Sequence, residues 1–268
     1  MPELPEVETI RRDLEYLLLH QTMTDLHLYD PRLLLKVDEK ILRDKLVGQS
    51  CMSFNRHGKY FWITFSNQWK LLFHLRMTGQ LTLTKPLERF KALRCSFQFR
   101  EHQLNFIDQR RFGEIHLYSP EQAIFTDNHI GPDFLTVSVK QFGDLLKTKQ
   151  SPIHSLLLNQ QLVAGIGNIY SQESLFRARI RPKRLASRLK NKDYSTLHFK
   201  LTELLHQAIE LRGSTSRNYR DAYGQMGNAQ SLHKVYQKSN KPCVDCGHPL
   251  KGIKLQGRGV VFCSVCQS

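Results

Sequence analysis

A proline at position 2, a glutamate at position 3 and four late cysteines are the residues of this chain best suited to chemistry. The chain opens Met1-Pro2-Glu3-Leu4-Pro5-Glu6-Val7-Glu8. Removal of Met1, which the small Pro2 permits, leaves a chain that begins with proline. Its amine is then secondary and terminal. A terminal amine titrates near pH ~8, against ~10.4 for a lysine, so a useful fraction is unprotonated at neutral pH. Such an amine attacks an aldehyde-like carbon to form a Schiff base. Glu3 is placed to move protons to and from that carbon.

The cysteines make a second constellation. Cys243-x2-Cys246 and Cys263-x2-Cys266 are separated by 16 residues. Each pair sits on a tight turn that can aim two thiolates at one ion, and four thiolates form a closed tetrahedral zinc site, which is structural. Between the pairs runs Lys251–Phe262, with Arg258 on a Gly257-Arg258-Gly259 tip.

These groups need rigid elements to hold them. The opening stretch also reads simply as a helix start. Pro5 suits a first turn, and Glu3, Glu6 and Glu8 complement the positive end of the dipole. Val7, Ile10, Leu14, Leu17 and Leu18 then recur at helical spacing. The two readings agree, because a helix would hold the amine in place. From about Thr22 to Tyr118 the text breaks into short β-like runs, Met23–Tyr29, Lys59–Phe65, Lys70–Leu75, Gln80–Thr84, Cys95–Arg100, Gln103–Ile107 and Glu114–Leu117. Such a series reads as a β-sandwich, interrupted by a helical stretch at Asp38–Leu46. Past a loop-like stretch at Asn128–Pro132 the strands stop. Val139–Thr148, Pro152–Gln160, Ile169–Arg177 and Tyr194–Arg212 read as helices, which sets a domain boundary near residues 125–135. Gly213–Asn228, rich in Ser, Gly and Tyr, reads as a mobile loop.

The chain has 268 residues and a net charge of +15. That length supports a sizeable core in more than one domain. The charge points to a polyanionic partner, nucleic acid first, and says nothing of sequence specificity. No signal-peptide pattern opens the chain, and no run approaches the ~18 apolar residues of a transmembrane helix. Cys51 and Cys95 stand alone in strand-like text, so the six cysteines read as a reducing-compartment pattern with one metal site. The expected location is cytoplasmic.

Other motifs are weaker alone. Leu162-Val163-Ala164-Gly165-Ile166-Gly167-Asn168-Ile169-Tyr170 lies between two helical segments and reads as an interhelical turn whose glycines and free helix-start N–H groups can meet a phosphate. It is not a dinucleotide fingerprint, since the third glycine is missing. Arg56-His57-Gly58-Lys59-Tyr60 puts a lysine at a strand start, ordinarily a solvated one. Met77 in His74-Leu75-Arg76-Met77-Thr78-Gly79 and Phe112 in Asp108-Gln109-Arg110-Arg111-Phe112-Gly113 would, on their own, be core residues.

Taken together these stretches resemble the bacterial formamidopyrimidine-DNA glycosylase family, which shares its fold with endonuclease VIII. The resemblance covers nearly the whole chain, with the motifs in the family's order. It implies an α+β multidomain fold: an N-terminal β-sandwich with flanking helices, a helix–two-turn–helix domain and a C-terminal zinc-finger β-hairpin. The expected ranges are 1–130, 131–228 (including a lesion-capping loop) and 229–268. Pro2 is implied as the nucleophile and Glu3 as the proton carrier. Lys59 assists elimination, and Arg258 contacts phosphate and the later elimination step. Met77 and Phe112 are implied as the wedges that fill the hole left by an extruded base, and Arg110 as the residue facing the orphaned base. Asn168 is an implied phosphate contact, and Lys149 is expected to supply another nearby. Cys243, Cys246, Cys263 and Cys266 hold one structural Zn2+.

This sequence departs from the family in three places. Lys91-Ala92-Leu93-Arg94 stands where the family usually has Lys-His-Asp-His, so a histidine contact to DNA is lost, with Arg94 as its partial replacement. His154 stands where the family has a lysine linked to handling of oxidised guanine. The capping loop ends Gly227-Asn228-Ala229-Gln230, without the family's aromatics. None of these touches Pro2, Glu3, Lys59 or the cysteines.

The expected function is therefore a bifunctional glycosylase and AP lyase of base excision repair. It excises oxidised purines (8-oxoguanine, formamidopyrimidines) through a Schiff base on Pro2, followed by β,δ-elimination. The partner is double-stranded DNA carrying oxidised bases or abasic sites, with no membrane and a monomeric chain. Two alternatives stand beside it: an endonuclease VIII-like enzyme for oxidised pyrimidines, and a catalytically idle lesion-binding zinc protein.

Overall fold

The computed structural model describes residues 1–35, 37–85, 91–125, 130–215 and 218–268. The chain divides into two compact units, Met1–Thr126 with Ile209–Gln230, and Asp127–Ala208 with Ser231–Ser268.

The first unit opens with helix α1 (Leu4–Leu18). Leu4, Val7, Ile10, Leu14 and Leu18 are fully buried, as their spacing requires. Strand β1 (Met23–Leu28) and a short helix α2 (Glu39–Leu46) follow. Asp38 caps α2 by accepting the Ile41 N–H at 2.8 Å. Then come β2 (Cys51–His57), β3 (Tyr60–Phe65), β4 (Lys70–His74), β5 (Gln80–Thr84), β6 (Leu93–Phe99), β7 (Gln103–Ile107) and β8 (Glu114–Tyr118). They form two antiparallel four-stranded sheets, ordered β1-β6-β7-β5 and β2-β3-β4-β8. The sheets share one core. Phe73 of the second sheet meets Phe97 and Phe106 of the first, with ring centroids 5.9 and 6.4 Å apart. Cys51 and Cys95 are buried in that core, and burial pushes the Cys51 thiol up to about 12.

The second unit carries α3 (Val139–Leu146), α4 (Ile153–Leu157), α5 (Asn168–Arg177) and most of α6 (Asn191–Glu210). A two-stranded hairpin closes it, β9 (Lys251–Leu255) paired with β10 (Arg258–Phe262). Among the described residues no helix is long and apolar enough to cross a membrane.

The structure adds two points to the sequence reading. β2 is absent from the strands read from sequence; only Cys51 and Phe54 along it are buried, so its apolar signal is thin. The ranges 1–130, 131–228 and 229–268 also divide the chain differently from the compact units. Residues 209–230 fold back onto α1 because Arg212 pairs with Asp13 at 2.6 Å and with Asp221 at 2.7 Å. Ser214, Thr215, Tyr219, Asp221 and Ala222 are buried there, so the described part of this stretch is packed rather than a free loop. Of the expected loops, residues 126–129 and 216–217 lie outside the described residues.

Candidate DNA-repair site

The amino terminus is fixed by the first turn of α1. Pro2 is buried, and Glu3, at the N-cap, is 4 % exposed. The Glu6 carboxylate, 1 % exposed, accepts the Glu3 N–H at 2.7 Å. Its other oxygen accepts the Ser214 N–H, also at 2.7 Å. Gly213 makes this approach possible: it has φ +76°, and a Cβ there would lie 2.9 Å from Glu6 Cγ. Burial holds the terminal amine, carried by Met1, below its ordinary value. The charges of Glu3 and Glu6 oppose that shift, while those of Lys59 and Arg110 add to it. The structure thus brings Glu3, Lys59 and Arg110 within electrostatic reach of the amine.

Lys59 stands on the Gly58-Lys59 turn between β2 and β3 and is 5 % exposed. The turn is tied to α1. Arg56 donates to Gly58 O at 3.0 Å and to the Glu8 carboxylate at 2.9 Å. Burial alone would raise Glu8. Hydrogen bonds from Arg11 and Arg12, and the charges of Arg11 and Arg56, instead draw it down to about 2. Beside Lys59, Tyr60 packs on His74 with ring centroids 4.3 Å apart. Burial, with the nearby charges of Arg76 and Lys59, lowers His74 to about 3, so it is neutral and its Nδ1 accepts the Arg76 N–H at 3.1 Å.

The residues expected as wedges are not core residues. Met77 is 44 % and Phe112 50 % exposed. A single carboxylate, that of Asp108, holds their loops: it accepts the N–H groups of Arg110, Phe112 and Gly113 at 3.1, 2.9 and 2.7 Å, and the Thr78 hydroxyl. Gly113 packs so closely that a Cβ would meet Phe106 at 2.5 Å. The Arg110 guanidinium lies 4.8 Å over the Phe112 ring. Asp108 stood inside a quoted motif, but only the fold shows that it organises two loops 30 residues apart.

Arg94 is turned away from the role expected of it. Its guanidinium donates to Asp108 O at 2.8 Å and faces Asp30, with the side chain 15 % exposed. It braces the Asp108–Gly113 loop from inside.

In the second unit, the turn between α4 and α5 is stapled by Gln160, which accepts the Gly165 N–H at 2.9 Å and donates to Ile166 O at 2.8 Å. Gly165 has φ +107°, which a side chain would strain. Asn168, at the start of α5, donates to Gly259 O at 3.3 Å. One turn on, Gln172 accepts the Val261 N–H at 2.8 Å and donates to the same Gly259 O at 3.2 Å. Glu173, fully buried, accepts the consecutive N–H groups of Lys234, Val235 and Tyr236 at 2.8–2.9 Å and pairs with Arg177 at 2.7 Å. These polar residues of α5 seat the hairpin. Arg258 is the exposed first residue of β10, beside a Gln256-Gly257 tip whose φ values are both positive. It lines a polar recess of about 350 Å³ with Ser151, Ser155 and Asn159. Lys149 is exposed on the turn after α3.

The four cysteine sulfurs lie within 4.8 Å of one another, with Cys243–Cys266 at 3.9 Å and Cys246–Cys263 at 3.5 Å. Metal–sulfur arms of ~2.3 Å set tetrahedron edges of about 3.8 Å, so the set fits a zinc ion.

Comparison with known proteins agrees with this geometry. Residues 1–115 match the formamidopyrimidine-DNA glycosylase N-terminal domain, and residues 130–220 the H2TH domain of the same family. The chain is 36 % identical over 272 residues to the formamidopyrimidine-DNA glycosylase of Desulfitobacterium hafniense, covering all of both chains. Lactococcus lactis Fpg in complex with DNA containing an abasic site is similar at a TM-score of 0.92 and 36 % identity, covering 99 % of each chain. The wild-type L. lactis protein with DNA containing an oxidised pyrimidine is similar at 0.90 and 35 %, again over 99 % of each.

Proposed function

The chain belongs to the formamidopyrimidine-DNA glycosylase family, and on that premise we propose that it is a bifunctional DNA glycosylase and AP lyase of base excision repair, acting on oxidised purines. The observation that carries this reading is the burial of Pro2, Glu3 and Lys59, with the charges of Glu3 and Lys59 reaching the terminal amine just ahead of Pro2. No simple binding role calls for an amine held below its ordinary value.

In this proposal the protein binds kinked duplex through phosphates, with Lys149, Asn168 and Arg258 as contacts, and extrudes the damaged base. Met77 and Phe112 fill the gap, and Arg110 faces the orphaned partner. After removal of Met1, the Pro2 amine attacks C1′ of the deoxyribose. Glu3 carries the protons as the C1′–N bond breaks and the base departs. The C1′–O4′ bond then breaks, with Glu3 giving a proton to O4′ as the ring opens, and leaves an iminium that acidifies the C2′ hydrogens; loss of one expels the 3′ phosphate, and a second elimination expels the 5′ phosphate. Lys59 assists the first elimination and Arg258 the later one. The iminium itself is the electron sink, so no dissociable cofactor enters.

Cys243, Cys246, Cys263 and Cys266 would hold one zinc ion, whose part is to cross-link the hairpin base. Residues 1–130 carry the chemistry, 131–228 the backbone grip together with the lesion-capping segment that packs on α1, and 229–268 the hairpin. The protein works as a cytoplasmic monomer on nucleoid DNA.

Borohydride trapping on a duplex with 8-oxoguanine opposite cytosine tests the reading, with wild type and Pro2→Gly compared. A covalent wild-type adduct, much reduced in the variant, is the expected result. No adduct there or on a pre-formed abasic site, despite tight binding, would leave only a lesion-binding protein. An adduct on thymine-glycol DNA and not on 8-oxoguanine would move the base preference to pyrimidines, and an adduct on abasic DNA alone would keep the lyase and move the base preference elsewhere.

A further inference from the structure

His154 is fully buried on the short helix α4, yet nothing in the chemistry above employs it. Its Nε2 lies 3.2 Å from Asn168 Oδ1. The orientation of that amide follows from its other contact. Asn168 Nδ2 faces Gly259 O at 3.3 Å, and a carbonyl can only accept. The amide oxygen therefore faces His154, and Nε2 must carry the hydrogen. Among the described residues Nδ1 has no hydrogen-bond partner. A doubly protonated ring would bury a second donor with no acceptor, and the Arg258 charge also disfavours it. Burial first, and Arg258 after it, lower the ring to about 4 against the opposing Asn168 bond.

We infer that His154 is a positioning residue, a neutral Nε2–H donor that locks the Asn168 amide with its NH2 group on the hairpin carbonyl beside Arg258. The bond joins α4, α5 and β10 through three side-chain steps, since Gln172 holds the same Gly259 O. A cation at this position would act on DNA directly. His154 brings no charge, so it acts on DNA only through Asn168, and its removal should leave the salt dependence of binding unchanged. This consequence for DNA rests on the repair reading above.

Two measurements test it together. The first is a long-range 15N–1H spectrum of the free, histidine-labelled holoprotein, with the His154 signal assigned by its loss in His154→Gln. The expected result is a neutral Nε2–H ring between about pH 5.5 and 8. An Nδ1–H ring, or a charged one, would overturn the inference. The second is affinity for a tetrahydrofuran abasic duplex. Loss of one hydrogen bond should make His154→Ala bind about five- to tenfold more weakly, and the His154→Ala/Asn168→Ala pair no more weakly than Asn168→Ala alone. His154→Gln keeps an N–H donor and should stay within about twofold of wild type. Additive losses, or a changed salt slope in His154→Ala, would overturn the inference. A wild type that ignores the duplex would instead sink the repair reading, with the ring spectrum still deciding the role of His154.

Discussion

The carboxylate of Glu6 accepts the backbone N–H of Ser214 at 2.7 Å, joining positions 208 residues apart. Its other oxygen holds the Glu3 N–H, so one side chain ties the start of α1 to the segment that follows α6. Glu6→Gln puts an amide NH2 against one of two N–H donors. Charge-assisted hydrogen bonds contribute ~1.5–3 kcal/mol, so excision of 8-oxoguanine should slow about 10- to 100-fold. Single-turnover assays on damaged and pre-formed abasic duplexes check this. The abasic reaction should be hurt less, since in the proposed reading the 214 segment covers a base that an abasic site lacks.

The amine must be unprotonated to react. Burial lowers the amine on Met1, and Pro2 is more buried than Met1, so after removal of Met1 the acid limb of abasic-site trapping should lie below the pH ~8 of an ordinary terminal amine. Lys59 contributes to that lowering, so Lys59→Gln should move the limb to higher pH besides slowing the reaction. Glu3 opposes it, and Glu3→Gln should move the limb lower. A pH series of borohydride trapping reads both directions.

Asp108→Asn presents an NH2 group to a cluster of backbone N–H donors. The loops carrying Met77, Arg110 and Phe112 should loosen, weakening binding to a lesion duplex about tenfold or more. The rate at saturating enzyme should change less than the affinity. Titration by fluorescence anisotropy beside single-turnover kinetics separates the two.

Glu8 links α1 to the Lys59 turn through Arg56, with both side chains nearly buried. A carboxylate held at about 2 stabilises the fold fully above its ordinary value near 4.5 and loses that contribution as pH falls toward 2. Glu8→Gln should cost on the order of 2 kcal/mol at pH 7 and flatten the pH dependence of stability between those values. Urea unfolding at pH 7 and pH 3 measures it.

Periodic features were legible from sequence. α1 could be read from Val7, Ile10 and Leu14, and seven of the eight sandwich strands from their short apolar runs. The cysteine quartet was legible because its spacing alone implies convergence. What stayed hidden depends on where a polar side chain points. Arg94 resembled a DNA contact in the text, but the Asp108 carbonyl draws it inward. The 213–230 segment is rich in loop residues, and only its bonds to α1, from Ser214 to Glu6 and from Ala222 to Asp13, show where it lies. Asp108, Gln172 and Glu173 look like ordinary polar residues until their backbone partners are known.

Glu173 gathers three successive N–H groups of Lys234–Tyr236 without exposing any of its own surface. The strap leading to the cysteine module is thus fastened by a clasp that needs no metal. Stripping the ion and unfastening the strap are separate events in the unfolding hierarchy, and the first need not trigger the second. Hydrogen exchange in a chelated protein should show the amides of 234–236 still slow while those of 251–262 become fast. Demetallation would then be a reversible, local fraying at the tail, from which the hairpin can be rebuilt on a seat that never left α5.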